Sequence, residues 1–140
     1  MSSPTSPEEI RRLVNELYAA WSLHEPHRID AIFTDDAIYS DIAGGKNQQG
    51  KQEIKQLLRA AFEWAPDFRV TMLSLTVGTD TAATEWVSKG IQTGPIGDLP
   101  ASGSSFRLRG ASIFAFRDAK IFKVTDYYDM TTFLRQLGAL

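Results

Sequence analysis

Four consecutive segments in the second half of the chain alternate at a strand's period of two, with no helical stretch between them, and this run most narrows what the whole can be. Phe68 to Val77, Thr81 to Thr93, Ser104 to Arg117 and Lys120 to Asp129 are each bounded by Gly, Asp or Pro signals. Gly78-Thr79-Asp80 and Asp118-Ala119 read as hairpin turns. The segment Gly94 to Gly103 is too long for a tight turn, so it either caps the mouth of a pocket or is an ordinary long hairpin loop. Strands joined this way pair antiparallel, and one face of their sheet must be covered.

The cover comes from the first half. Ser6 is a candidate N-cap, Pro7 a first helical residue, and Glu8 and Glu9 suit a helix's positive end. A helix to about His24 follows, with Ile10, Leu13, Val14, Leu17, Tyr18 and Trp21 forming one stripe at helical spacing. Residues 1–6, rich in Ser and Pro, are expected to fray. Glu25-Pro26 interrupts the helix, and a short second one to Phe33 turns Ile29, Ile32 and Phe33 inward. A strand from Ala37 to Ile42 puts Tyr39 and Asp41 on one face, and Gly44-Gly45 ends it. A helix from about Lys51 to Trp64 buries Ile54, Leu57, Leu58, Ala61 and Phe62, and a last one, Met130 to Leu137, returns Phe133, Leu134 and Leu137 to the body. Helices followed by hairpin-linked strands define an α+β architecture, with helices on one face of a curved antiparallel sheet.

Within the last strand segment, Phe122, Val124, Asp126 and Tyr128 share one face, and Ile121, Lys123, Thr125 and Tyr127 the other. A carboxylate in so apolar a row is costly unless it is paired, hydrogen-bonded or protonated, and such positions are where working acids and bases are found. Its other reading is a satisfied buried polar group, held by Tyr39 or Tyr18. Asp129 reads as the N-cap of the last helix.

Composition closes off several classes. The 140 residues fit one domain, 1–140, large enough for a core and a pocket within it. A net charge of −2 without a basic, aromatic-interleaved run argues against nucleic acid. The absence of cysteine removes disulfides, thiolate metal sites and thiol nucleophiles. His24 and His27, without a carboxylate cluster, make a poor metal site. No segment approaches the roughly 18 apolar residues of a membrane span, and the N-terminus lacks a leader pattern, so a cytoplasmic location is expected.

Three local patterns carry a family resemblance. They are Phe33-Thr34-Asp35-Asp36-Ala37-Ile38-Tyr39-Ser40-Asp41, then Leu99-Pro100-Ala101-Ser102-Gly103, then Ile113 to Ile121 running into Asp126-Tyr127-Tyr128-Asp129. In their order and spacing the chain resembles the nuclear transport factor 2-like (cystatin-like) superfamily. Within that group it is similar to the SnoaL-like cyclases, ketosteroid isomerases and limonene epoxide hydrolases. The resemblance implies a cone, with the sheet wrapped around N-terminal helices and a deep apolar pocket open at one end. Asp126 matches the acid/base aspartate of the cyclases and the final-strand aspartate of the epoxide hydrolases. Asp41 falls at the isomerases' general base, Tyr18 at their phenolic oxyanion donor, and Tyr39 with Asp41 at the epoxide hydrolases' water-holding pair. Departures are equally specific: Ser112 stands where the isomerases hold a second, acidic donor. Trp86 and Ser88 stand where the epoxide hydrolases hold an arginine and an aspartate, and an indole cannot orient a carboxylate as a guanidinium does.

These residues support proton transfer without metal or organic cofactor. If Asp41 and Asp126 share one pocket, their titrations should split between an acid and a base. The pair could remove a proton alpha to a carbonyl while Tyr18, Tyr39 or Ser112 steadies the enolate oxygen. Trp21, Phe62, Trp64, Trp86, Phe114 and Tyr128, with Ser88 and Ser112, would suit a small, flat, mostly apolar ligand. Two alternatives remain: an epoxide hydrolase-like hydrolase with a degraded triad, which the resemblance implies, and a non-catalytic small-molecule-binding or accessory module. The outer sheet face, with Val87, Ile91, Ala111, Ile113, Ala115, Ile121 and Tyr127, predicts a homodimer.

Overall fold

In the computed structural model, which describes residues 3–140, the N-terminal apolar stripe becomes helix α1 (Pro7–Ser22). Ser6 accepts the Glu9 N–H on its hydroxyl at 3.1 Å, and Pro7 opens the helix where no N–H is needed. Part of the stretch expected to fray, residues 1 and 2, lies outside the described residues. Thr5, in the same stretch, is buried, and its N–H bonds the Asp80 carboxylate at 2.7 Å, so the chain is anchored before the helix begins. The break at Pro26 gives a 3-10 turn, Pro26–Ala31, rather than a second α-helix. Ile29, Ile32 and Phe33 are buried as the pattern requires.

The remaining elements are β1 (Phe33–Asp41), β2 (Lys46–Gln49), α2 (Gly50–Trp64), β3 (Arg69–Gly78), β4 (Thr81–Ile91), β5 (Ser105–Arg117), β6 (Lys120–Tyr128) and α3 (Met130–Gln136). Strand β2 carries no apolar alternation, because it is a polar edge strand held by backbone pairing to β1. The sheet order is β2-β1-β6-β5-β4-β3. Neighbours are antiparallel except β1 and β6, which run parallel. A parallel pair needs a long crossover, and everything from β2 to β5 supplies it. The sheet is thus mixed at this one junction, and that junction is where the site forms.

Register shifts in the β1/β6, β3/β4 and β5/β6 pairs bend the strands, so the sheet curls around α1 and α2. The last shift corrects the alternation expected for β6. Phe122 is skipped between the Ala115–Lys123 and Phe116–Ile121 pairs. Ile121, expected on the outer face, is therefore buried in the core, and Phe122, expected inside, lies under the Arg117 guanidinium at 5.0 Å. From Val124 onward the expected alternation returns, with Val124 buried and Tyr127 exposed.

The main core joins α1, α2 and the inner faces of β1 and β4 to β6. A smaller cluster, with Ala65, Phe106, Leu108, Phe133 and Leu137, sits under α3. Asp129 caps α3, accepting from Thr131 N–H at 3.0 Å and the Thr132 hydroxyl at 2.8 Å. Among the described residues no helix is long and apolar enough to cross a membrane.

Candidate active site

Strand register writes one polar line across the concave face: Thr84 on β4 pairs with Ser112 on β5, Ser112 with Asp126 on β6, and Asp126 with Asp41 on β1. Residues opposite one another on neighbouring strands share a face, so these side chains converge. On one side runs an apolar line, Ala82, Phe114, Val124 and Tyr39. On the other lie Trp86, Gly110 and Tyr128.

Hydrogen bonds connect this line in three groups. The Trp86 indole N–H donates to Ser112 Oγ at 2.8 Å, and Ser112 Oγ lies 2.5 Å from Asp126 Oδ1. An indole N–H can only donate, so Ser112 receives it on a lone pair and, with Asp126 ionised, gives its own proton to the carboxylate. Ser112 then has no proton left for a substrate oxygen, and acts here on Asp126. In the second group Tyr128 donates to Asp41 Oδ2 at 2.8 Å, and Gly44 N–H donates to Asp41 Oδ1 at 2.9 Å. The Tyr18 hydroxyl shares a hydrogen bond with Thr84 Oγ1 at 2.8 Å.

Burial raises the proton affinity of Asp126 until its pKa stands at about 7; the Ser112 and Tyr39 hydroxyls act against this, and the nearby Asp41 charge reinforces it. Asp126 as a whole is half-buried, and it is among the residues that line the cavity. Burial also raises the Tyr18, Tyr39 and Tyr128 phenols, which stay protonated donors at neutral pH.

Apart from the buried Thr84, these groups line one cavity of about 700 Å³. Of the residues predicted for the site, Asp126, Asp41, Tyr18, Tyr39, Trp21, Trp64, Trp86, Ser88, Ser112, Phe114 and Tyr128 line it. Phe62 does not: it stacks on His24 at 3.9 Å and meets Trp21 edge-on at 6.0 Å, behind the cavity wall. The segment between β4 and β5 does reach the mouth, where Pro95, Ile96, Gly97 and Leu99 contribute to the lining. Among the described residues no three potential metal ligands converge.

Two contributors were missed from sequence, and both left a trace there. Thr84 stands two before Trp86, so the alternation that placed Trp86 also places Thr84. Gly110 is a mid-strand glycine, which marks a close approach. A Cβ at Gly110 would lie 2.3 Å from the Trp86 ring.

A helix-filled, curled sheet that holds a hydrogen-bonded carboxyl in a largely apolar cavity defines a protein of the nuclear transport factor 2-like type. Residues 11–137 match the family model of the SnoaL-like polyketide cyclases. The chain therefore belongs to the SnoaL-like polyketide cyclase family. Among solved structures it is similar to TsrD from Streptomyces laurentii, with 26% identity, a TM-score of 0.87 and 96% of this chain and 98% of that one covered. A protein of ketosteroid isomerase-like fold from Catenulispora acidiphila, solved with trimethylamine, shares 24% identity at a TM-score of 0.81, covering 97% of this chain and 96% of that one. An LEH-like epoxide hydrolase from M. tuberculosis shares 20% identity at a TM-score of 0.74, covering 93% and 90%. No curated protein sequence matches the chain.

Proposed function

We propose that the protein is a cofactor-independent acid/base enzyme, of isomerase, cyclase or lyase type, acting on a small apolar carbonyl compound of polyketide- or steroid-like shape. The observation that carries this reading is the Asp126 carboxyl, buried in an apolar cavity, bonded by Ser112 and poised at a pKa of about 7. At neutral pH such a group is divided between its two forms, so it can both take a proton and return it. Tyr39, within hydrogen-bonding reach of Asp126, and Tyr18, bonded to Thr84 at the far end of the same polar line, are protonated phenols suited to steady an enolate oxygen. Asp41, fixed by Tyr128 and Gly44, adds negative charge that favours proton uptake by Asp126.

Epoxide hydrolysis is the less supported alternative. Trp86 and Ser88 occupy the positions that would need a guanidinium and a carboxylate, and Lys46 is the sole cation among the cavity-lining residues. The proposal extends to a homodimer through the convex sheet face, where Ile91, Ile113 and Tyr127 are exposed. Ile121 no longer belongs to that face.

Proton exchange alpha to the carbonyl of polycyclic enones, followed by NMR in heavy water, tests the chemistry without the physiological substrate. Asp126→Asn should slow exchange by roughly 10²- to 10⁴-fold while affinity for the same enones is retained. Equal exchange in both proteins would leave a binding module as the better reading.

A further inference from the structure

We propose that Trp86 is a positioning residue that aims the Ser112 hydroxyl at Asp126, and that Gly110 is the residue that makes room for it to do so. For its catalytic meaning this rests on Asp126 being the proton carrier; for its structural content it does not.

Trp86 and Gly110 are opposite one another on β4 and β5. A methyl group at Gly110 would sit 2.3 Å from one indole carbon and 2.4 Å from the next, well inside any real contact. Only a bare backbone lets the indole lie across β5, and lying there brings its N–H to 2.8 Å from Ser112 Oγ. A serine hydroxyl has three tetrahedral directions, two lone pairs and one proton. The indole claims a lone pair, and Asp126 Oδ1 at 2.5 Å is the charged acceptor among the directions left. Without the indole, the Ser112 proton is free to turn toward Thr84, its register partner on β4, and toward the Tyr18 hydroxyl that Thr84 holds.

The groups facing Asp126 are few, which makes the effect readable. Tyr18 faces it from α1, Tyr39 and Asp41 from β1, and Tyr128 lies two residues along β6. Lys46 from β2 and Glu63 from α2 are the other charged side chains at the cavity. No other group on β4 or β5 that lines it is ionisable. A hydrogen bond from Ser112 stabilises the ionised carboxyl, so losing it should push the Asp126 midpoint upward. A smaller ring in place of the indole would also admit water, which would push the midpoint downward. The sign therefore separates a positioning role from mere filling of space.

The test is an NMR titration of the Asp126 carboxyl, labelled with carbon-13, in the full chain without substrate. The variants are Trp86→Phe, Ser112→Ala and the two combined. Trp86→Phe should raise the midpoint by about one pH unit, Ser112→Ala should raise it at least as far, and the combination should add nothing to Ser112→Ala. A midpoint in Trp86→Phe that is unchanged or lower overturns the proposal, as does a further shift from that substitution when Ser112 is already absent. Should these variants fail to fold, the Trp86 indole resonance of the unaltered protein decides: it must titrate with the same midpoint as Asp126, and independence of the two overturns the proposal. No substrate enters these readings, so failure of the enzymatic reading and failure of this one are separate results.

Discussion

Asp126 binds its proton more tightly in the folded chain than in the unfolded one, and stability must follow. A free aspartate titrates at about 3.9, whereas burial carries this one to about 7. Its folded-state pKa is thus raised, so the stability it contributes is complete below about pH 4 and is lost as pH rises toward 7. Three pH units set an upper bound on the order of 4 kcal/mol. Asp126→Asn removes this dependence. Calorimetry should find the variant melting above the parent at pH 8, with the gap closing toward pH 4; a variant less stable at pH 8 refutes the linkage. The residue that proton transfer would need is thus one whose ionised form the fold holds at a cost. Asp126 was legible in the sequence because an acid in an apolar row is conspicuous. The service rendered by Trp86 was not, because an aromatic at an inward position looks the same whether it fills space or donates to a particular oxygen.

At the scale of elements, the segment between β4 and β5 is a fixed wall, not a flap. Gln92, fully buried, donates through Nε2 to Gly94 O at 2.9 Å and Pro100 O at 3.1 Å. Its Oε1 accepts from Ser102 N–H at 3.1 Å and the Ser102 hydroxyl at 2.6 Å. The Thr93 and Gly94 N–H groups reach Trp64 O at 3.0 and 3.2 Å, fastening the segment to the end of α2. Ile96 and Leu99 pair through their backbones and line the cavity. Gln92→Ala leaves several of these groups unpaired and should cost about 2–3 kcal/mol. Hydrogen exchange should quicken across residues 94–103 more than in the strands; unchanged protection there would show that other contacts hold the segment. The sequence left two readings open here, since one amide side chain in a strand does not announce four partners. The β6 bulge was equally hidden, because alternation assumes an unbroken ladder, and the skipped Phe122 reverses the faces of the residues before Lys123. The three α-helices, whose stripes are local properties, were readable almost to their ends, whereas the short helix expected after Pro26 is a 3-10 turn.

For the whole molecule, the proposed dimer depends on a convex face with Ile91, Ile113 and Tyr127 exposed and Glu85 and Arg109 among them, 3.7 Å apart. A stable association needs about 800 Å² from each partner, which an extended sheet face can supply. Sedimentation equilibrium should report a dimer, and Ile113→Glu should yield a monomer with an unchanged circular dichroism spectrum. A monomer at every concentration of the parent protein ends that proposal. The general architecture was readable because alternation, stripes and turn residues all pointed to one arrangement. The parallel junction of β1 and β6 was not, since nothing in either strand names a partner so distant.

That junction also governs when the site can exist. Tyr128 and Asp41 are 87 residues apart in the chain yet share a hydrogen bond, and contacts of such separation form late and slowly. During synthesis β1 emerges early and must wait, one edge bare, until β6 leaves the ribosome. Until then the nascent chain owns half of a carboxyl pair and a strand edge in want of a neighbour. The cavity and its carboxyl pair would therefore be complete only after translation has passed the last strand, and any chain stalled earlier would carry an unfinished pocket and an adhesive edge together.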